Sequence, residues 1–410
     1  MSWRGLIILY SATAAIVIAI LAIAILVPAP SGGNRDASTG NVLVGRPNMV
    51  DRLIMFDSVE RFLAGELEHV AVIHDDPALV VLDDRRLKTY PRYGSWTSPV
   101  IQTEFAFTEL IPSWNVHAPA NTGVRFQVRT RDARSGQWSP WLYVGQWGRT
   151  SAARRIDRPL THFQHGVVHT DTLLLDRAAD ALQVRASLQS FDLDRTINPS
   201  VRRVAVSYSG QVNDDGVRAM LIESLPVRGN WAKDLKVPFR AQGDSPPALR
   251  SQICSATATT MVMAWWGVDR PTVENALAIY DESADIFGNW SRAVARAGEL
   301  GLDAWITRFR NWEQVKAMIQ MNQPIIAAIR FKRGEFPSSV LKQSDGHLVV
   351  IRGLLPSGDV ICNDPASRDK GNGVIYKAEE LGRAWFTNAG GVGYVIRRSR
   401  AGGADTLARP

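Results

Sequence analysis

Cysteine is nearly absent: 410 residues contain two, Cys254 and Cys362. At most one disulfide can form, so a bridge-stapled scaffold is excluded and each thiol is examined for chemistry. There is no Gly-x-x-x-x-Gly-Lys-Ser/Thr loop, so nucleotide-driven transport is not implied. The net charge of +7 comes without a Lys/Arg run or basic–aromatic alternation, which removes nucleic acid as an expected partner. A solvated basic surface remains, with anionic cell-envelope polymers as its functional counterpart. No internal repeat is apparent.

Charge is also missing from Gly5 to Val27, 23 residues rich in Ile, Leu, Ala and Val. A helix needs about 20 apolar residues to cross a bilayer, whereas a signal-peptide core usually has about 7–15. The run is read as an uncleaved transmembrane signal anchor over residues 5–27, with a cleaved signal peptide as the alternative. Lys and Arg flank it too evenly to set orientation. A short N-terminus ahead of a long span usually translocates the chain beyond the span, so the main body is expected outside the cytoplasm. Residues 28–48, with Pro, Ser, Gly and Asn, read as a linker.

Residues 49–228 carry the signal of an all-β, sandwich-like accessory domain. Asp51 to Leu67 suggests a short amphipathic helix. The rest reads as short strands over residues 69–74, 78–83, 124–130, 141–144, 167–175, 181–188 and 203–209. In the clearest of them Val124, Phe126 and Val128 alternate with Arg125, Gln127 and Arg129. Residues 231–400 read as an α+β domain. Helices are expected at 254–266, 273–280, 290–300 and 311–320, followed by strands at 324–331, 347–353, 359–363 and 392–397.

Cys254 stands where a helix begins, and the free N–H groups and partial positive charge there favour a thiolate. His347, the only histidine after residue 169, opens a strand and could serve as the base. Asp364 follows on the next strand, where period-two alternation puts Val360, Cys362 and Asp364 on one face. A hairpin through Leu355-Pro-Ser-Gly358 would bring its carboxylate beside the imidazole. Asn363 could orient a histidine but points to the other face. Each residue also has a bland reading: buried free thiol, satisfied core histidine, turn aspartate.

Cysteine, then histidine on a strand, then aspartate on its neighbour is the papain-like order. The matching segments are Val237-Pro-Phe-Arg-Ala-Gln242, Cys254-Ser-Ala-Thr-Ala-Thr-Thr-Met261, Gly288-Asn-Trp290, Gly346-His-Leu-Val-Val350 and Gly358-Asp-Val-Ile-Cys-Asn-Asp-Pro365. Over about 160 residues this domain resembles the bacteriocin-processing, double-glycine-leader cysteine peptidases in their stand-alone C39-like branch. The resemblance implies a papain-like fold, thiol peptidase activity on a peptide or protein substrate, and no cofactor. It further implies an oxyanion-binding glutamine at Gln242, with Gln252 as rival. Ala256 stands where the family commonly has proline, a residue that shapes the first helical turn without supplying chemistry.

Three features lie outside that picture. Cys362 could pair with Cys254. His162, His165 and His169 invite a metal reading but lack an acidic or thiol partner at ligand spacing, so no metal is expected. Trp138, Trp141 and Trp147 could stack on sugars or pack the domain junction. Two rival functions stay open: a non-catalytic envelope protein binding peptides or glycans, and a peptidoglycan amide hydrolase or acyltransferase using the same cysteine.

Overall fold

The computed structural model describes residues 49–74, 79–83, 92–148, 159–192, 197–212 and 226–399. The anchor and linker expected over 5–27 and 28–48 lie outside them. Among the described residues no helix is long and apolar enough to cross a membrane.

Twelve antiparallel strands make up the first half. Its backbone is three long strands, β6 (Ile101–His117), β11 (Thr172–Ser190) and β12 (Ser200–Gln211). The N-terminal part of β11 pairs with β6, which pairs in turn with β12. Its C-terminal part lies between β5 (Arg92–Thr97) and β7 (Thr122–Asp132), and β7 continues to β8 (Leu142–Gly148). One strand therefore serves both layers. Trp114 of β6 stacks on Phe126 of β7, centroids 4.2 Å apart, where the layers meet. The alternation read in β7 holds: Val124, Phe126 and Val128 are fully buried, while Arg125, Gln127 and Arg129 face outward.

The segment expected as a helix from Asp51 is instead mostly strand. β1 (Met49–Phe56) pairs along its length with β12, and only α1 (Val59–Leu63) is helical. Leu53 and Met55 pack against one core, Ile54 and Phe56 against the other. A strand apolar on both faces loses its period-two signature, and its apolar residues can then mimic helical spacing. The single strand expected over 167–175 is a hairpin: β10 (Gly166–His169) turns through Thr170 and Asp171 into β11.

In the second half, α2 (Cys254–Trp265), α3 (Thr272–Ile279) and α4 (Trp290–Glu299) come first. They precede a six-stranded antiparallel sheet with the order β13-β18-β14-β15-β16-β17. Its strands are β13 (Leu302–Arg308), β14 (Ile325–Phe331), β15 (Ser344–Leu354), β16 (Val360–Asn363), β17 (Val374–Tyr376) and β18 (Val392–Arg398). α5 (Trp312–Gln320) follows β13. The strict order of helices before strands therefore fails, because β13 precedes α5. Residues 255–263 of α2 are all buried, as befits a helix of Ala, Ser, Thr and Met at the centre of a core.

β13 ends its sheet, and edge strands leave backbone groups unpaired. Here side chains of β6 supply the partners. Asn115 donates from Nδ2 to Ala304 O (2.8 Å) and accepts the Ala304 N–H at Oδ1 (3.0 Å), while Ser113 Oγ accepts the Ile306 N–H at 3.2 Å. Arg203 reaches Asp303 and Asp57 at 3.2 Å each, and Arg308 reaches Glu109 at 2.6 Å. Asp171, in the β10–β11 turn, accepts the Trp290 N–H at the start of α4 (2.6 Å). The two halves interlock so closely that a Cβ on Gly298 would sit 2.7 Å from the Asn115 Cβ.

Asn115→Leu leaves the Ala304 N–H and C=O buried without partners. Each orphaned group costs about 1–3 kcal/mol, so denaturant unfolding of the full chain should show a loss of roughly 2–6 kcal/mol. A loss under about 1 kcal/mol would mean that this contact does not close the sheet edge.

Candidate active site

The register of the second sheet sets the geometry. Val350 pairs with Asn363 and Ile351 with Cys362 across β15 and β16. Asp364, one residue past β16, therefore falls opposite Val349, and His347 is its diagonal neighbour on the same face. The strand-parity reading holds, although β15 begins at Ser344, so His347 lies within the strand rather than at its start. Nε2 of His347 lies 2.7 Å from Oδ1 of Asp364, and both residues are buried, 4% and 0% exposed.

Asp364 is held from several sides. Ala366 N–H donates to Oδ1 (2.9 Å), and the Tyr376 hydroxyl donates to Oδ2 (2.6 Å). Its own N–H donates to Gly371 O at 2.8 Å. Burial pushes the carboxyl pKa up. The His347 charge and hydrogen bond, then Tyr376 and Ala366, outweigh it and hold the group below its ordinary value. Tyr376 is not among the residues that the sequence singles out. Its signal is a turn, Gly371-Asn-Gly373, followed by the short apolar run Val374-Ile-Tyr376, which forms β17 beside β16.

Cys254 is the first residue of α2, in keeping with the helix start expected there, and is partly exposed. Burial raises its thiol pKa. The hydrogen bond and charge of His347, with the Leu348 and Ser255 backbone N–H groups, outweigh burial and lower it. For His347 burial works downward, but the charge and hydrogen bond of Asp364, followed by those of Cys254, carry its pKa up to about 10. Near neutral pH these directions favour a thiolate–imidazolium pair.

Gln242 opens a 3-10 turn, Gln242–Asp244, and its N–H donates to Pro365 O at 2.9 Å, next to Asp364. Its side-chain Oε1 is buried without a hydrogen-bond partner. Gln252 is exposed, with Nε2 directed at Ala248 O (3.4 Å). Asn363 is spent on structure: it donates to Val237 O (2.9 Å) and accepts from Arg352 (2.9 Å) and the Gly373 N–H (3.1 Å).

Cys254 and Cys362 are both free thiols. Cys362 is buried, and burial reinforced by the Asp364 charge pushes its pKa well above the ordinary value. Among the described residues no group of three or more His, Cys, Asp or Glu is placed to hold a metal. Trp147 packs at the junction between the halves, its indole N–H donating to Glu299 (3.2 Å) under the Arg292 guanidinium.

Residues 53–209 match the family described as Peptidase C39 N-terminal domain, and residues 234–392 match the Peptidase_C39 like family. Among solved structures, a putative C39-like peptidase from Bacillus anthracis is 16% identical, with 40% of this chain and 97% of that chain covered and a TM-score of 0.31. The β-1,4-galactotriose complex of TmCBM61 is 9% identical, with 39% and 88% covered and a TM-score of 0.16. No curated protein matches. The two family matches support the C39-like family, and with it a cysteine peptidase-like protein of the hydrolase class.

Iodoacetamide at neutral pH should alkylate Cys254 and leave Cys362 untouched in the folded chain, giving one adduct by intact mass. His347→Ala removes the groups that lower the thiol pKa, so alkylation should slow by about tenfold or more. Equal rates in the two proteins would refute the pairing. Tyr376→Phe strips a donor from a buried charge and should cost about 1.5–3 kcal/mol in denaturant unfolding.

Proposed function

We propose that this chain is a thiol peptidase that cleaves peptide bonds through an acyl-enzyme on Cys254. The observation that carries the reading is the hydrogen-bonded line from Tyr376 through Asp364 to His347, whose hydrogen bond and charge lower the thiol pKa of Cys254, a partly exposed residue at the start of α2. The Cys254 thiolate attacks the substrate carbonyl carbon, and the negative charge moves onto the carbonyl oxygen. The Cys254 backbone N–H at the helix start and the Gln242 amide are the donors assigned to that oxyanion. As the C–N bond breaks, the His347 imidazolium gives its proton to the departing amine. The neutral imidazole then takes a proton from water, whose oxygen attacks the thioester and frees Cys254. Asp364 holds the ring and stabilises its charged form without itself becoming protonated.

In this reading residues 231–400 form the catalytic domain and 49–228 the accessory domain. Residues 5–27 tether both to the membrane with the main body outside the cytoplasm, in a bacterial cell envelope. The uncharged 23-residue run supports that placement. A protease-accessibility assay on intact cells against permeabilised ones tests it.

Acid-quenching during turnover of a peptide panel should reveal a thioester on Cys254 by mass, and Cys254→Ala should reduce cleavage to background. Cleavage that persists in that variant sinks the proposal; cleavage of peptidoglycan amides in place of peptides redirects it to the amidase alternative. The pH profile follows from the two shifts. Activity should rise as pH climbs through the lowered Cys254 pKa and fall as His347 loses its proton near pH 10. The Asp364 charge helps raise the His347 pKa, so Asp364→Asn should move the alkaline limb downward. An unmoved limb would show that a different group sets it.

A further inference from the structure

The outward face of β5, β11, β7 and β8 carries residues that the core does not use. Across β11, Ser187 stands opposite Ser95 on β5 and Arg125 on β7, and Arg185 stands opposite Thr97 and Gln127. Their strand neighbours Val184, Ala186, Phe126 and Val128 are fully buried, so parity turns the row outward, where Thr97 is covered and the others are half-buried. The face is concave. A cleft of about 390 Å³ is lined by residues that include His69, Tyr93, Ser95, Arg125, Gln127 and Arg185. That lies within the roughly 300–1,000 Å³ range in which small ligands are usually held.

Three guanidiniums are fixed there by aromatic rings. Arg125 lies over Tyr143 at 5.1 Å, Arg129 over Trp138 and Trp141 at 4.8 Å each, and Arg185 over Trp141 at 4.1 Å. Stacking of this kind orients the planar cation and leaves its N–H edges available. The hydrogen-bond partners of these cations are neutral. Arg129 donates from Nε to Gln183 (2.9 Å), Arg185 donates from Nε to Thr97 (3.1 Å), and the buried Nε of Arg125 has no hydrogen-bond partner. Among the described residues, no carboxylate lies within ion-pair distance of the three. Burial, and after it the nearby Arg129 charge, pushes the Arg185 pKa down, and the more distant Glu66 and Glu68 charges offset this only in part. A ligand carrying carboxylates answers that arrangement with paired, charge-assisted hydrogen bonds.

Beside the arginines, Glu68 and His69, the cleft is lined by uncharged polar groups, and Glu68 accepts from Ser95 Oγ at 3.2 Å. Hydroxyl and amide side chains surround the cations, and the Tyr93 ring, 43% exposed, stands at the rim. β11 is paired on both sides here, so an extended peptide finds no free backbone edge to add a strand. Sugar hydroxyls suit such side chains, and a pyranose ring can lie on the tyrosine.

We propose that this face is a binding site for an acidic oligosaccharide, whose carboxylates are read by Arg125 and Arg185 and whose sugar rings are held by Tyr93, Ser95 and Gln127. It stands on the sheet face alone and is independent of the peptidase reading, so Cys254→Ala should leave it intact. The full chain in detergent micelles is titrated calorimetrically with a galacturonate oligomer, its fully methyl-esterified form and poly-L-glutamate. The acid oligomer should bind, and the ester and the polypeptide should each bind more than about tenfold more weakly. Arg125→Ala with Arg185→Ala should abolish the difference, while Arg134→Ala, on an exposed turn, keeps it. Equal affinity for the ester, no binding of the acid, or binding untouched by the double variant overturns the site. Poly-L-glutamate binding as tightly as the sugar acid overturns the saccharide assignment, even where the arginines prove necessary. Because the ligand comparison uses the unaltered chain, it decides the matter even if the double variant fails to fold.

Discussion

A charged imidazole can remain inside this protein only because a carboxylate is buried with it. Isolated charges cost several kcal/mol each to remove from water, and a pair offsets that only when its remaining hydrogen-bonding capacity is satisfied. The His347–Asp364 pair meets the condition on the carboxylate side through Tyr376 and the Ala366 N–H. On the imidazole side the hydrogen bond and charge of Cys254 add to the upward shift that Asp364 causes. β15, β16 and β17 must therefore keep their register, because a slip of one residue on any of them would turn His347, Asp364 or Tyr376 to the wrong face. Arg352 secures that register from outside the pair. It binds Asn363, Asn372 and Asp234 at once, which joins the segment leading to Gln242 to the same hairpin.

The sheet that carries the pair is completed by the other half of the chain. β13 would present an open edge, but Asn115 and Ser113 of β6 occupy its backbone groups, and the Arg203–Asp303 and Arg308–Glu109 ion pairs flank them. The cores follow suit. Ala295 of α4 belongs with the first-half cluster, while Ile111 and Ala205 belong with the second. α4 also depends on both halves at its start, where Asn289 caps the Arg292 N–H and Asp171 accepts from Trp290. Domain boundaries that look clean in composition are therefore much less clean in packing.

That contrast explains how much residues alone can convey. Local signals survive. The alternation around Phe126 and the parity that aligns His347 with Asp364 both rest on neighbours in sequence. Expectations fail where tertiary contacts set the environment. β1 is apolar on both faces because it lies between two cores. β6 is hidden in the sequence because its 17 residues mix Glu, Pro, Ser and Asn with apolar ones, and Glu109, Ser113 and Asn115 find partners on β13. Tyr376 is an apolar-run residue until β17 is placed beside β16. Gln242 is reached through family resemblance, and the N–H bond to Pro365 O that sets it beside Asp364 spans a chain separation no local pattern reaches.

The two cysteines make the same point at the level of chemistry. Both lie within one core, and burial raises the pKa of each. For Cys362, paired into β16 between β15 and β17, the negative charge of Asp364 adds to burial and the Arg352 charge opposes them too weakly to matter, so its thiol stays protonated. For Cys254 the imidazole stands between the sulfur and that same carboxylate, so Asp364 acts on it through a positive group and the shift reverses. One aspartate thus suppresses one thiol and, through His347, favours ionisation of the other. Sequence marks Cys254 by its helix start, but that position alone does not set the direction of either shift. What separates them is the order in which sulfur, imidazole and carboxylate meet in space.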